Sequence, residues 1–374
     1  MSYGQRIFSI VPDSTASSHV EAAKVNHLGP VPTGPLQDQH QRILKDLRIS
    51  VIDQCNFRCT YCMPKEVFGR DYTFLSKDSL LSFDEIERLA RVFVGLGVEK
   101  LRVTGGEPLL RKNIESLISQ LSTIRTAAGR PVEIAMTTNG ALLAQKAKAL
   151  KSAGLGRITV SLDALSDETF RAMNDVDFPV ADVLKGIDAA ADAGLRVKVN
   201  MVVQRGVNDH EILPMANAFR ARGHTLRFIE FMDVGSSNAW QWDHVVPSRE
   251  VIDMISLEHP LVPIGRDTPS EVSERWRYAD GKGEVGVISS VSNPFCGNCS
   301  RARISAEGVL YTCLFAHSGT DLRGLLRGPQ IPSNDDIARV LAGVWQQRTD
   351  RYSEQRAVLR EQGVKKVEMS YIGG

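Results

Sequence analysis

From Asp46 to Met232 the chain repeats one pattern, a short β-favouring run followed by an amphipathic segment of helical length. Residues 47–52, 101–103, 132–138, 195–203 and 225–232 read as strands, as does the segment marked by Ile158, Val160 and Leu162. Between them Ser82 and Glu85 form a capping-box pair ahead of Ile86, Leu89 and Phe93 at helical spacing. Residues 113–126 and the segment ending at Ala153 read as further helices, with Gly154 and Gly194 as stops. Regular alternation of this kind calls for parallel strands joined by helical crossovers, either doubly wound or closed toward a barrel.

The strands carry an anomaly. Strands covered by helices are normally apolar along their whole length, yet Arg48, Arg102, Lys198 and Arg227 sit in mid-strand. In residues 195–203, Leu195, Val197, Val199, Met201 and Val203 share one face, and Arg196, Lys198 and Asn200 the other. In a barrel one face packs on helices and the other lines the lumen. Cations in a closed lumen are costly without an anion. Acidic neighbours such as Glu230 or Asp163 could neutralise one or two. Four on separate strands point to a site for a polyanionic small molecule.

The net charge of +1 over 374 residues excludes a bulk polyelectrolyte signal for nucleic acid or membrane, so any cationic site is local. No apolar run has the length of a membrane span, and the first residues lack the apolar core of a secretory signal. A cytoplasmic location is expected. Residues 1–43, with Gly29, Pro30, Pro32, Gly34 and Pro35 among polar residues, read as a flexible N-terminal extension. Residues 44–262 form the expected core that carries the alternating strands and helices. After about residue 260 the alternation weakens, Pro260, Pro263 and Pro269 mark a linker, and residues 263–374 form an expected C-terminal domain.

The six cysteines fall into two triads, Cys55, Cys59, Cys62 and Cys296, Cys299, Cys313. Disulfide frameworks belong to small secreted chains, so two triads here point to metal sites rather than to disulfides. The first, C-x3-C-x2-C, follows the first strand, where barrel active sites lie. Three thiolates around a four-iron cluster leave one iron open for chemistry. The second is C-x2-C-x13-C with His317 four residues on, which leaves a Cys3His zinc site as an alternative.

C-x3-C-x2-C with the aromatic Tyr61 before its last cysteine resembles the signature of the radical S-adenosylmethionine (SAM) superfamily. Thr104-Gly105-Gly106-Glu107-Pro108 resembles the superfamily segment that receives the SAM amino group. Cys299-Ser300-Arg301-Ala302-Arg303 resembles the GTP 3′,8-cyclase family that opens molybdenum cofactor synthesis, the MoaA family. The likeness extends to Asp46-Leu47-Arg48, Thr137-Thr138-Asn139-Gly140, Phe228-Ile229-Glu230-Phe231-Met232-Asp233 and the final Gly373-Gly374.

This resemblance implies an α/β fold, an incomplete (β/α)6 TIM-like radical SAM barrel, with a C-terminal α+β domain carrying a second cluster. It implies two [4Fe-4S] clusters, one on each triad, and SAM contacted by Tyr61, Gly106, Ser161 and Met232. It places Arg48, Lys100, Arg102, Thr137, Lys198, Arg227, Arg301, Ala302 and Arg303 around GTP, and Gly373 and Gly374 in the active site. The implied reaction takes the ribose 3′ hydrogen of GTP with a 5′-deoxyadenosyl radical and joins C3′ to C8 of guanine. A reducing electron donor, delivery of product to the cyclic pyranopterin monophosphate synthase and a homodimer are further expectations. No G-x4-G-K-[ST] phosphate loop occurs. Asp53 and Glu230 are expected to hold structure rather than to act as acid or base. Two alternatives remain at this point, a radical SAM peptide maturase with an auxiliary cluster and a zinc-stabilised binding protein.

Overall fold

The computed structural model describes residues 20–24, 30–361 and 365–373. Its strands are β1 (Val20–Ala22), β2 (Asp46–Ser50), β3 (Lys100–Thr104), β4 (Glu133–Thr138), β5 (Arg157–Ser161), β6 (Arg196–Val203) and β7 (Thr225–Glu230). The C-terminal part adds β8 (Leu261–Gly265), β9 (Glu274–Tyr278), β10 (Glu284–Ile288), β11 (Arg301–Ile304), β12 (Val309–Tyr311) and β13 (Gly319–Asp321). All join one sheet in the order β1-β13-β12-β11-β2-β3-β4-β5-β6-β7-β10-β9-β8.

Strands β2 to β7 are mutually parallel and follow chain order, which is the expected six-stranded barrel wall. The crossovers carry α1 (Phe83–Gly95), α2 (Ile114–Ser122), α3 (Leu143–Ser152), α4 (Asp167–Asn174), α5 (Val180–Asp192) and α6 (Ile212–Arg222). In α1 the capping box forms as the sequence suggests: Glu85 N donates to Ser82 Oγ at 3.1 Å, and Ser82 N to Glu85 Oε2 at 2.7 Å. A cap of this kind is worth about 1 kcal/mol. Ile86, Leu89, Ala90 and Phe93 then bury one stripe of the helix against the sheet.

Leu47, Ile49, Leu101, Val103, Ile134, Met136, Ile158, Val160, Val197, Val199, Leu226 and Phe228 form the outer face of the wall and are buried under the helices. Each buried side chain of this size contributes about 1.5–3 kcal/mol. Alternation then turns Arg48, Arg102, Thr137, Thr159, Lys198, Asn200 and Arg227 inward. The burial of one face fixes strand register, because a one-residue slip would exchange the two faces.

The C-terminal residues extend this sheet at both edges. Strand β11 adds in parallel to β2, and β10 adds in parallel to β7. The expected boundary between residues 262 and 263 falls inside β8. Pro263 lies within that strand, not in a linker. Strand β8 ends the sheet, and a register irregularity falls between Pro263 and Gly265, so the missing N–H costs no central ladder bond.

The N-terminal stretch also departs from expectation. Of residues 1–43, those at 1–19 and 25–29 lie outside the described residues. The described part is packed against the body. Val20–Ala22 pairs with Gly319–Asp321, and Leu36 and Leu44 are buried in the main core. Asp38 and Arg42 form an ion pair at 2.5 Å with both side chains shielded from solvent. Pro and Gly here shape an extended path over the surface, and the isolated apolar anchors that hold it lack a periodicity that sequence reasoning could read.

Candidate active site

The first cysteine loop leaves the C-terminal end of β2. The loop after β3 clamps it: Gly106 N donates to Ile52 O at 2.7 Å, and Glu107 N to Gln54 O at 2.8 Å. A Cβ on Gly106 would lie 2.3 Å from Gln54 O. This glycine thus permits a close backbone approach to the cysteine loop itself. Glu107 is buried and accepts from Leu109 N, Thr138 Oγ1 and Asn139 N at 2.7–2.9 Å. Burial pushes its carboxyl up to about 7 against the pull of those bonds. Asn139 Nδ2 reaches Asn56 Oδ1 at 2.9 Å and Cys55 Sγ at 3.7 Å. Three separate sequence motifs therefore form one frame around Cys55.

The thiols of this loop suit a cluster. Burial pushes Cys55 up to about 12 and raises Cys59 and Cys62 as well. For Cys59 the neighbouring Asp163, Cys55 and Cys62 add to that rise, so the three thiols face a shared space. Such thiolates need positive charge beside them, which iron supplies. Phe57 N, 3.4 Å from Cys55 Sγ, adds a donor to the sulfur. Among the described residues no three His, Cys, Asp or Glu side chains converge on a point suited to one metal ion. A cluster places each thiolate on a different iron and does not require that convergence.

Tyr61 is buried, and its hydroxyl donates to Asp163 Oδ2 at 2.7 Å. Burial lifts Asp163 to about 6, opposed by Tyr61 and by Val202 N at 2.8 Å. The Tyr61 ring packs with Met173, Phe231, Trp240, Val245 and Val291, an apolar wall beside Cys59 and Cys62. Ser161 ends β5 in register with Asn200, facing the lumen. Met232 follows β7 and joins that wall to a second apolar group around Phe315. Asn238 Nδ2 fixes the Met232 carbonyl at 2.9 Å. Glu230 does not neutralise the lumen. It accepts from Ser248 N, Val291 N and Ser292 N at 2.7–2.8 Å and pins loops together. Asp53 likewise accepts from Leu75 N at 2.7 Å.

The inward cations meet as the alternation implies. Arg303, Arg48 and Arg102 are register neighbours across β11, β2 and β3. Arg102 donates to Thr137 Oγ1 at 3.0 Å and Thr159 Oγ1 at 3.4 Å, and Arg227 to Asn200 Oδ1 at 2.9 Å. Burial, reinforced by the other cations, lowers Arg48 strongly, Arg102 to about 10, Arg227 and Arg303 to about 9, and Lys198 to about 8. Lys100 falls to about 8 through burial, and its nearest carboxylate is Asp46 at 3.8 Å. Among the described residues none of Arg48, Arg102, Lys198, Arg227, Arg301 and Arg303 has an ion-pair partner. Ala302 departs from the set: its side chain is buried in the core between the two arginines, leaving only backbone toward the lumen. Arg157 also lies on the inward face of β5, but unlike these cations it is paired, with Glu133 at 2.7 Å.

The second triad lies at the opposite end of the wall. Cys296–Asn298 forms a turn before β11, which runs parallel to β2, so Cys299 stands at the N-terminal end of the strands. Arg42 holds the Cys296 carbonyl at 3.0 Å, and Arg348 the Cys299 carbonyl at 2.9 Å. Burial pushes the Cys299 thiol up, but Arg301 and Arg348 outweigh it and leave it at about 6. Arg301 Nη2 lies 3.5 Å from Cys299 Sγ. Phe315 N lies 3.5 Å from Cys313 Sγ, a thiol that burial raises to about 12. His317 is exposed. The donor set fits a cluster.

The chain end reaches the same lumen. Ile372 is fully buried beside Val309 and Tyr311, and Arg303 donates to the Gly373 carbonyl. The anchor is a short helix, Met369–Ile372. Gly374 lies outside the described residues.

Residues 49–219 match the model of the Radical SAM superfamily, and residues 224–354 that of Molybdenum Cofactor Synthesis C. The GTP 3′,8-cyclase of Xanthomonas axonopodis pv. citri is 52% identical over 343 residues, covering 91% of this chain and 100% of the relative. That of Acidothermus cellulolyticus is 47% identical over 370 residues with the same coverage. The chain belongs to the GTP 3′,8-cyclase family. A third GTP 3′,8-cyclase, from Staphylococcus epidermidis, is 44% identical across 91% of this chain and 99% of its own. Among solved structures, Streptococcus suis SuiB bound to S-adenosylmethionine superposes with a TM-score of 0.57 at 13% identity, covering 85% of this chain and 69% of that one. This likeness carries the barrel fold.

Proposed function

We propose that the chain converts GTP to (8S)-3′,8-cyclo-7,8-dihydroguanosine 5′-triphosphate, the first step of molybdenum cofactor synthesis, as a radical SAM lyase with two [4Fe-4S] clusters. The observation that carries this reading is a set of unpaired cations lining a lumen with one thiol triad at each end. Cys55, Cys59 and Cys62 would hold the first cluster, and Cys296, Cys299 and Cys313 the second. When bound, the first cluster supplies an electron and SAM the 5′-deoxyadenosyl group that takes the ribose 3′ hydrogen.

The protein's own part is positioning. Gly106, Ser161 and Met232 border the SAM position, with Tyr61 closing its apolar side and excluding water. Arg48, Lys100, Arg102, Lys198 and Arg227 are the donors for the triphosphate, and Thr137 orients Arg102. Arginine suits phosphate because its planar fork donates two bonds at once. Arg301 and Arg303, with the Ala302 backbone between them, present guanine to the second triad. Gly373 closes the site from the chain end. The low dielectric of the lumen strengthens each of these contacts.

A reducing electron donor, transfer of product to the cyclic pyranopterin monophosphate synthase, a homodimer and a cytoplasmic location complete the proposal. Among the described residues no helix is long and apolar enough to cross a membrane. The deciding experiment incubates the anaerobically reconstituted protein with SAM, dithionite and GTP and identifies the products. The cyclised nucleotide alongside 5′-deoxyadenosine is expected. Cleavage of SAM with GTP recovered intact overturns the reading.

A further inference from the structure

Charged side chains close around the second triad. Arg42, Arg348 and Asp38 are shielded from solvent, and Asp350 stands at their outer edge with its side chain 26% exposed. Arg348 lies 2.8 Å from Asp350 and 3.7 Å from Asp38, and its guanidinium sits over the buried Trp345 ring at 4.6 Å. Trp345 Nε1 in turn donates to the Arg42 carbonyl at 3.2 Å. Two cations and two carboxylates leave this network without net charge. Removing any one of them strands its partner, so the arrangement is held firmly.

Every cysteine segment of the triad is tied to it. Arg42 holds the Cys296 carbonyl, and Arg348 the Cys299 carbonyl. The third tie runs through Asp350. Thr312, the residue before Cys313, donates from Oγ1 to Asp350 Oδ2 at 2.6 Å. Asp350 Oδ1 accepts from Arg348 Nε at 2.9 Å, and the Asp350 carbonyl accepts from Arg42 Nη1 at 2.8 Å. Asp350 therefore bonds to both arginines and to the neighbour of the third cysteine. A network that only docked the N-terminal stretch would need Asp38 and Arg42 but not the bond from Thr312. The charges also reach the sulfurs. At Cys313, beyond burial, Asp350 opposes a thiolate while Arg348 favours one.

We infer that Asp350 is a positioning residue for the second cluster, clasping its three cysteine segments and, as the counter-charge to Arg348, setting its reduction potential. The inference rests on the proposed second [4Fe-4S] cluster. Partners beyond the ligands orient those ligands, and net charge and hydrogen bonds around the sulfurs set a cluster's potential. Reduction adds an electron, so a nearby carboxylate disfavours it and a nearby guanidinium favours it.

The test is an anaerobic redox titration followed by electron paramagnetic resonance on protein carrying both clusters, for wild type, Asp350→Asn, Asp350→Glu and Arg348→Gln. The second cluster's signal is the one that Cys313→Ala removes. Asp350→Asn is expected to raise its midpoint potential and Arg348→Gln to lower it, with the first cluster's potential unmoved in both. Asp350→Glu keeps the charge and should stay near wild type. Shifts of the same sign in Asp350→Asn and Arg348→Gln, or no shift in either, overturn the inference, because a general loosening of the fold does not change sign with the charge removed. If Arg348→Gln does not retain its iron, the two Asp350 variants decide: equal shifts in both, or none in either, overturn the inference. Zinc instead of iron on the second triad of the wild type would remove the proposed cluster, and the inference with it.

Discussion

Arg303 donates a hydrogen bond to the backbone carbonyl of Gly373, joining strand β11 to the chain end seventy residues later. The arginine is 2% exposed and lies in register with Arg48, so this contact ties the last turn of the chain to the row of lumen cations. Gly373 has φ of +69°, and a Cβ there would stand 2.2 Å from Thr104 Cγ2. Both facts demand glycine.

Gly373→Ala is therefore expected to leave the barrel folded and SAM cleavage active while cyclised product collapses. Displacement of the tail by even 1 Å can cost about a hundredfold in rate. Thr104→Ser, which removes the clashing methyl, should restore part of the product in the double variant. The measurement is the ratio of cyclised nucleotide to 5′-deoxyadenosine; an unchanged ratio in Gly373→Ala defeats the argument.

The two triads separate by experiment. Alanine at Cys55, Cys59 or Cys62 should abolish SAM cleavage, whereas alanine at Cys296 or Cys313 should spare GTP-independent cleavage and lose cyclisation. His317→Ala should keep the metal content of the second site. Iron and zinc analysis beside 5′-deoxyadenosine yield reads all three, and release of zinc from His317→Ala would replace the cluster with a zinc site.

The N-terminal stretch should matter for stability. Asp38 accepts from Arg42, Arg348 approaches it at 3.7 Å, and all three side chains are shielded from water. Asp38→Ala leaves Arg42 and Arg348 to share the single carboxylate of Asp350, a loss of up to about 3 kcal/mol. Because Arg42 and Arg348 also hold the Cys296 and Cys299 carbonyls, iron should be lost from the second site first. Anaerobic thermal unfolding and iron content per chain measure both effects, and wild-type values for each would show the network to be dispensable.

Glu368 anchors the last segment to the loop that follows β7. Its carboxylate accepts from Ser236 N and Ser237 Oγ, each at 2.9 Å. Lys366, two residues earlier, donates to Asp233 Oδ2 and Tyr352 OH at 3.0 Å. Glu368→Ala should free the tail, lower the product yield per SAM cleaved several-fold, and leave iron content unchanged. A parallel fall in both yields would assign Glu368 to general stability instead.

The sequence alone determined the wall and its chemistry. Six strands and their intervening helices were legible because hydrophobic periodicity is local, and the lumen cations because a two-residue alternation fixes which face each occupies. The triads were legible because ligand spacing in C-x3-C-x2-C is a property of consecutive residues. Tertiary structure decided what depends on distant segments meeting. It placed the triads at opposite ends of the strands, because β11 runs parallel to β2 although 255 residues separate Arg303 from Arg48. It turned Ala302 into the core, and it drew Leu36, Asp38 and Arg42 into the body through partners near residue 348 that no local pattern announces. It also gave the glycines after β3 a backbone neighbour, the cysteine loop, since close approach between two loops is settled only when both strands are paired.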